Sequence, residues 1–194
     1  MDEVGRGCLF GPVVAAAVLL SSAGAERLQA AGVRDSKKLS PARRQALVPV
    51  IQSVAIAYQI AEATVAEVDQ MNILQAALLA MKRAVLGLDP APSLCWVDGN
   101  QRLPDLGLPQ ETVVRGDQKS VAIAAASILA KEWRDQKIVE FAQQYPGYDL
   151  ASNKGYGTAK HRDALKRLGL TPYHRRSFAP CRQLAVQDSS PPLS

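Results

Sequence analysis

The sequence predicts one α/β domain, on three observations. Short apolar runs read as buried strands, longer stretches with helical periodicity lie between them, and no repeat or long linker divides the chain. Residues 13–20 are mostly Val, Ala and Leu without polar alternation, as in a core strand. Ser40 and Pro41 open a helix with an N-cap serine and a first-turn proline, and Pro49 is expected to kink or end it. Residues 54–65 carry the Val, Ile, Tyr and Thr of a second strand. Asn72 starts the clearest helix, because Gln75 is placed to complete a capping box. Ile73, Leu74, Ala77, Leu78, Met81 and Val85 share its buried face. After a loop with Pro90 and Pro92, residues 94–97 form a buried strand that ends on Asp98-Gly99, and residues 112–114 another that leaves through Arg115-Gly116-Asp117. From Lys119 to about Gln143 the alanine-rich pattern is helical without a breaker. Tyr145-Pro146-Gly147-Tyr148 is a turn, and residues 155–158 lead into a basic helix through Leu168. Residues 1–185 are therefore expected to form the domain, with a helical C-terminal part, and residues 186–194 a disordered tail.

The 47% hydrophobic and 21% charged fractions are ordinary for a soluble globular protein. A net charge of +5 favours a polyanionic partner only weakly. Cys8, Cys95 and Cys181 are odd in number and far apart, so neither a zinc site nor a disulfide framework is indicated, and a cytoplasmic, reducing location fits. Residues 8–20, followed by Ser21-Ser22-Ala23-Gly24-Ala25, imitate a signal peptide. The preceding segment carries Asp2 and Glu3 against Arg6, however, and Pro12 interrupts a run too short to span a bilayer. A buried strand is the better explanation.

Residues 2–7, Asp2-Glu3-Val4-Gly5-Arg6-Gly7, set two vicinal carboxylates before a Gly-Arg-Gly turn. Carboxylates hold hard divalent metals, glycines let backbone amides approach a ligand, and a guanidinium suits phosphate. Together they suggest phosphodiester chemistry. Asp98 and Asp117 each stand at a strand end beside a glycine, where catalytic groups of open α/β sheets gather. Four carboxylates at one point repel unless cations neutralise them, and two magnesium ions about 4 Å apart could clamp the attacking water and the leaving oxygen. Neighbours on a regular strand face opposite ways, so Asp2 and Glu3 share a site only if the strand ends near Gly5. Plainer roles stay open at this point: Asp117 as the N-cap of the Lys119 helix, Asp98 as an Asp-Gly turn residue. Asp135 reads as the structural partner of Lys131, one turn earlier.

These residues resemble the bacterial ribonuclease HII family, the type 2 ribonucleases H. The opening motif with Gly11-Pro12-Val13-Val14 is similar to the family's first block. Residues 35–40 (Asp-Ser-Lys-Lys-Leu-Ser), 72–76 (Asn-Ile-Leu-Gln-Ala) and 97–100 (Val-Asp-Gly-Asn) resemble the next three. Gly116-Asp117 with residues 124–131, then residues 154–158 with His161, and residues 174–178 complete the series in order. The resemblance covers residues 2 to about 180. It implies an RNase H-like fold, a central mixed β-sheet flanked by α-helices, and metal-dependent hydrolysis of RNA in RNA–DNA hybrids with Mg2+ or Mn2+. By position Asp2, Glu3, Asp98 and Asp117 match the family's metal-binding acids. Gly5, Arg6 and Gly7 match the tripeptide whose backbone reads the 2′-hydroxyl beside the scissile phosphate, the group that separates RNA from DNA. Tyr156 matches the tyrosine that packs on the neighbouring deoxyribose. A single ribonucleotide embedded in duplex DNA is then a suitable substrate, cut on its 5′ side to leave 3′-hydroxyl and 5′-phosphate ends by a monomer.

Within the matched block, Lys37 and Lys38 are expected to meet substrate phosphates. The later basic group of Lys160, Arg162, Lys166, Arg167, Arg175 and Arg176 is expected to contact duplex backbone. His161 and His174 are structural or phosphate-adjacent, not ligands, since a hard metal site prefers oxygen. Two alternatives remain. A ribonuclease HIII-like hybrid nuclease shares the acids but not this Gly-Arg-Gly. A non-catalytic binding form is suggested because only Met1 precedes the Asp-Glu pair, where family members carry half a strand; a true start further upstream is the expected explanation.

Overall fold

In a computed structural model that describes residues 1–188, with side chains to residue 185, five strands meet edge to edge and helices cover both faces. β1 (Asp2–Val4), β2 (Val13–Leu19) and β3 (Ala57–Ala63) form an antiparallel sheet in the order β1-β2-β3, with Asp2 opposite Ala16 and Ala15 opposite Ala61. β4 (Cys95–Asp98) and β5 (Gln110–Val113) pair in parallel. Two backbone bonds join the sets: the Met1 nitrogen donates to the Trp96 carbonyl at 2.9 Å, and the Asp98 N–H to the Met1 carbonyl at 3.2 Å. This sharing of one residue between two flanking groups is the parallel pattern. The fold is thus the expected mixed sheet flanked by helices.

β2 shows why its sequence has no polar alternation. Val13, Ala15 and Ala17 pack on one side against α4 (Ile73–Leu86), while Val14 and Ala16 pack on the other against α1 (Ser22–Ala30), α2 (Pro41–Val54) and α6 (Val121–Gln144). A strand covered on both faces must be apolar at every position. Small residues dominate these contacts, Ala76, Ala77, Ala80 and Ala84 on α4 and Ala124, Ala125, Ala126 and Ala130 on α6, so both helices lie close to the sheet. A third apolar cluster joins Leu9 and Phe10 to Ile138, Phe141, Tyr148, Leu150, Leu165 and Cys181. It binds α7 (Leu150–Asn153), α8 (Ala159–Leu168) and α9 (Ala179–Asp188) to the far end of α6 as the helical C-terminal part.

Several elements depart from expectation. α2 runs through Pro49 to Val54, because Pro49 and Gln45, whose i+4 donor it lacks, both face solvent while Leu47 and Ile51 anchor the inner face. The second strand is shorter than residues 54–65: Val54 ends α2, and Val65 begins α3 (Val65–Met71). The capping box belongs to α3, with Thr64 and Glu67, whereas Asn72 caps α4 through its own side chain, accepting from Leu74 N at 2.9 Å and Gln75 N at 3.2 Å. The helix expected from Lys119 breaks at Ser120, whose extended backbone separates α5 (Gly116–Lys119) from α6. α1 was not foreseen, its small residues having looked like a cleavage site. α9 reaches Asp188, three residues into the expected tail; the rest of that tail lies outside the described residues. Among the described residues no helix is long and apolar enough to cross a membrane, and Cys8, Cys95 and Cys181 are all free and buried.

Candidate active site

β1 and β4 carry their carboxylates to the same end of the sheet. Asp2 and Glu3 lie on β1, which ends at Val4 as the shared-site argument required, and Asp98 is the last residue of β4. The Asp98 Oδ1 accepts the Gly116 N–H at 2.7 Å, which fastens the first turn of α5, and with it Asp117, to that strand end. Asp117 lies inside α5 and Ser120 caps α6, so the plain N-cap role for Asp117 does not hold.

Asp2, Glu3 and Asp117 each feel the charge of Asp98. Burial pushes Asp2 up to about 7, with further repulsion from Glu3 and Asp98 and a counteracting hydrogen bond from Ser127. Glu3 is raised by burial, against the pull of the Arg6 guanidinium 3.3 Å away, and Asp98 repels it too. Asp117 is raised by burial and by Asp35 and Asp98, with the Lys37 ammonium 3.9 Å away opposing the shift. Among the described residues no three acidic, His or Cys side chains close on a point tightly enough to enclose a metal ion. The donor set nevertheless fits a hard divalent cation: it is all oxygen, partly buried, and its charges repel in a way that a cation relieves.

Asp35 is an acidic residue that sequence reading passed over. It is buried, its Oδ1 accepts from Lys37 N at 3.0 Å and its Oδ2 from Gln118 Nε2 at 3.3 Å. It thereby caps a 3₁₀ turn over Ser36–Lys38 and ties that turn to α5. Its position before Ser36-Lys37 was the available signal, since Asp commonly caps such turns. Ser36 and Ser127 share a hydroxyl–hydroxyl bond of 2.9 Å, which links the same turn to the residue that bonds Asp2. Lys37 and Lys38 are both exposed on its outer side.

The turn after the carboxylates is built against the C-terminal part. Cys8 and Tyr156 form an antiparallel bridge, and the N–H groups of Leu9 and Phe10 both donate to the Gly155 carbonyl at 2.8 and 3.3 Å. Tyr156 is 40% exposed, and the Lys131 ammonium lies 5.8 Å from its ring centroid. Lys131 also pairs with Asp135 at 2.8 Å, the structural role expected of that aspartate. Two fully buried arginines hold the assembly. Arg134 donates to the carbonyls of Phe10, Pro12 and Lys154 at 2.9, 3.1 and 2.9 Å. Arg175 donates to those of Gly11 and Arg6 at 2.9 and 3.0 Å.

Arg175 therefore departs from the basic group expected to face duplex: its fork of donors is consumed by backbone carbonyls inside the fold. Lys160, Arg162, Lys166, Arg167 and Arg176 are exposed, as that expectation needs. Arg134 was missed, although Ala126, Ala130 and Ile138 at helical spacing around it mark a buried stripe with a cation at its centre.

His161 and His174 are structural. The Thr171 N–H donates to His174 Nδ1 at 2.9 Å, so this nitrogen accepts and Nε2 carries the proton. Nε2 lies 3.1 Å from His161 Nε2 and donates to it, and His161 Nδ1–H donates to the Tyr156 carbonyl at 2.9 Å. Both rings must be neutral for this chain to stand. Burial holds His174 down to about 3, helped by His161, and burial lowers His161 as well. A folded pKa below the ordinary 6.5 means that the unfolded chain binds the proton more readily. The resulting stability is complete above pH 6.5 and is lost as pH falls toward 3. At pH 5 the loss from His174 alone is about 2 kcal/mol. Urea titrations from pH 8 to pH 5 should show this decline, with a smaller slope in His174→Gln.

Comparison with known proteins gives the family. The family model described as Ribonuclease HII matches residues 1–181. A ribonuclease HII of Acaryochloris marina is 63% identical over 188 residues, covering 97% of this chain and 95% of its own length. One of Trichodesmium erythraeum is 57% identical, covering 94% and 86%. The crystal structure of ribonuclease H2 from Pyrococcus horikoshii superposes with a TM-score of 0.82 at 28% identity, over 96% of this chain and 95% of that one. A ribonuclease HIII, the Bst enzyme, shares the fold at 19% identity with a TM-score of 0.78, over 97% of this chain and 68% of that one. The chain belongs to the ribonuclease HII family, divalent-metal-dependent endonucleases of RNA–DNA hybrids.

Proposed function

We propose that this ribonuclease H also cuts on the 5′ side of single ribonucleotides embedded in duplex DNA, as a cytoplasmic monomer acting in ribonucleotide excision repair. The observation that carries the reading is the joining of three parts: Asp2, Glu3 and Asp117 all within reach of the Asp98 charge, the Gly5-Arg6-Gly7 turn directly after the first two, and Tyr156 bridged to that turn through Cys8. Two magnesium or manganese ions held by the four carboxylates would supply charge stabilisation and an activated water for in-line displacement at phosphorus. The protein's own groups do the rest. Among the described residues the N–H groups of Arg6 and Gly7 have no partner, which leaves them to meet the 2′-hydroxyl. The half-exposed ring of Tyr156 offers an apolar face to the next, deoxyribose sugar. Lys37 and Lys38, with the exposed basic residues of α8, meet phosphates on either side. No side chain serves as nucleophile, and the products are a 3′-hydroxyl and a 5′-phosphate.

The test is cleavage of a labelled DNA duplex that holds one ribonucleotide, with Mg2+ or Mn2+. A single cut 5′ of the ribonucleotide with the stated ends is expected. Even cutting along a long hybrid, with the single ribonucleotide left intact, would refute the junction reading.

A further inference from the structure

The recognition turn contains a feature that its motif does not explain. Gly7 has no positive φ, and a Cβ there would meet nothing within 4 Å, so the fold itself does not demand glycine. Gly7 is exposed and its N–H makes no hydrogen bond among the described residues, so a side chain there would crowd only a ligand approaching from outside. The direction of that N–H is set from beneath. A trans peptide holds its C=O and N–H on opposite sides. The carbonyl of Arg6, which shares its peptide with the Gly7 nitrogen, is drawn inward by Arg175 Nη1 at 3.0 Å. The Gly7 N–H must then point outward. In the peptide before it, the Gly5 carbonyl accepts from Cys8 N at 3.3 Å, which turns the Arg6 N–H away from Cys8.

Arg175 is a costly device for this purpose. It is wholly buried, forms no ion pair among the described residues, and its Nη2 has no hydrogen-bond partner. A buried, partly unsatisfied cation is normally selected against or shifts its pKa, and burial lowers that of Arg175 to about 10. Its remaining supports are the Gly11 carbonyl and the Phe178 ring, 5.1 Å from Cζ. The rigid fork that reaches two carbonyls at once is a property of guanidinium and not of ammonium.

We propose that Arg175 is a positioning residue for ribose selection, which aims the Gly7 N–H at the 2′-hydroxyl by pinning the Arg6 carbonyl. This rests on the junction reading given above. Arg175→Lys keeps the charge but loses the fork. On a single-ribonucleotide duplex its kcat/KM should fall by on the order of 10- to 100-fold, while KM stays close to wild type. The direct readout is the Gly7 amide in 1H–15N spectra, recorded without divalent cation so that the duplex stays intact. In the wild type it should move on addition of the ribonucleotide duplex but not of the same sequence in all-DNA form, and in Arg175→Lys that difference should vanish. A wild type that cleaves at the ribonucleotide, together with an Arg175→Lys of equal kcat/KM and unchanged Gly7 response, overturns the inference and leaves the junction reading intact. A wild type that does not cleave there overturns both. Should Arg175→Lys fail to fold, the wild-type amide decides: a Gly7 signal that answers both duplexes alike, or neither, rules the proposal out.

Discussion

Asp98→Asn should reduce turnover on an RNA–DNA hybrid by on the order of a thousandfold while leaving the fold in place. The amide keeps the shape of the carboxylate, and its Oδ1 can still accept the Gly116 N–H, so α5 stays fastened to β4. What disappears is one negative charge facing Asp2, Glu3 and Asp117. A divalent cation contributes several kcal/mol to phosphoryl-transfer transition states, and each 1.4 kcal/mol is tenfold in rate, so a poorly held cation costs about three powers of ten. The metal-free variant should melt no lower than the parent, because one member of a repelling group is gone. Single-turnover rates at saturating Mg2+ or Mn2+, beside thermal melts in chelator, check both parts. An Asp98→Asn protein that keeps most of its turnover would remove this residue from the ligand set.

The contrast between what could and could not be read from the sequence follows a physical line. β2 was legible because burial on both faces leaves a continuous apolar run, and α4 because its inner face repeats at helical spacing. Asp2, Glu3, Asp98, Asp117 and the Gly-Arg-Gly turn were legible as an ordered pattern, and the fold brings the four acids to one end of the sheet. Pro49 misled because the cost of a proline depends on which side of the helix it occupies, and that side is a tertiary fact. Ser120 misled for a related reason: the break it makes lets α5 turn Asp117 toward β4, a demand of the site and not of local propensity. Arg134, Arg175 and Asp35 were invisible in their roles because a buried polar side chain is defined by the carbonyls and amides that meet it, and these lie from 2 to 169 residues away along the chain. The histidine pair is intermediate. Its burial could be suspected from the absence of a job elsewhere, but its fixed tautomers depend on Thr171 and the Tyr156 carbonyl.

Gly5→Ala should be the most damaging small substitution in the Gly-Arg-Gly turn. Its φ of +91° is unfavourable for any L residue, and the new Cβ would overlap Arg134 Nε while lying 2.8 Å from Cδ and 2.9 Å from Cζ. The conformational penalty is about 1–2 kcal/mol and the overpacking about 1–3 kcal/mol. For a chain of this size the two together lower Tm by roughly 10 °C. Arg134 cannot yield without releasing the carbonyls of Phe10, Pro12 and Lys154, so relief in one place loosens the seat of both the turn and the Tyr156 loop. Cleavage at a single ribonucleotide should therefore fall by on the order of a hundredfold, the cost of an ångström-scale misplacement. A double-mutant cycle separates the two causes. In an Arg134→Ala background the clash is gone and only the backbone penalty remains, so Gly5→Ala should cost measurably less there than in the wild type. Equal costs in both backgrounds would mean that the glycine answers to its backbone angle alone, and that Arg134 supports the turn without setting which residue can occupy it.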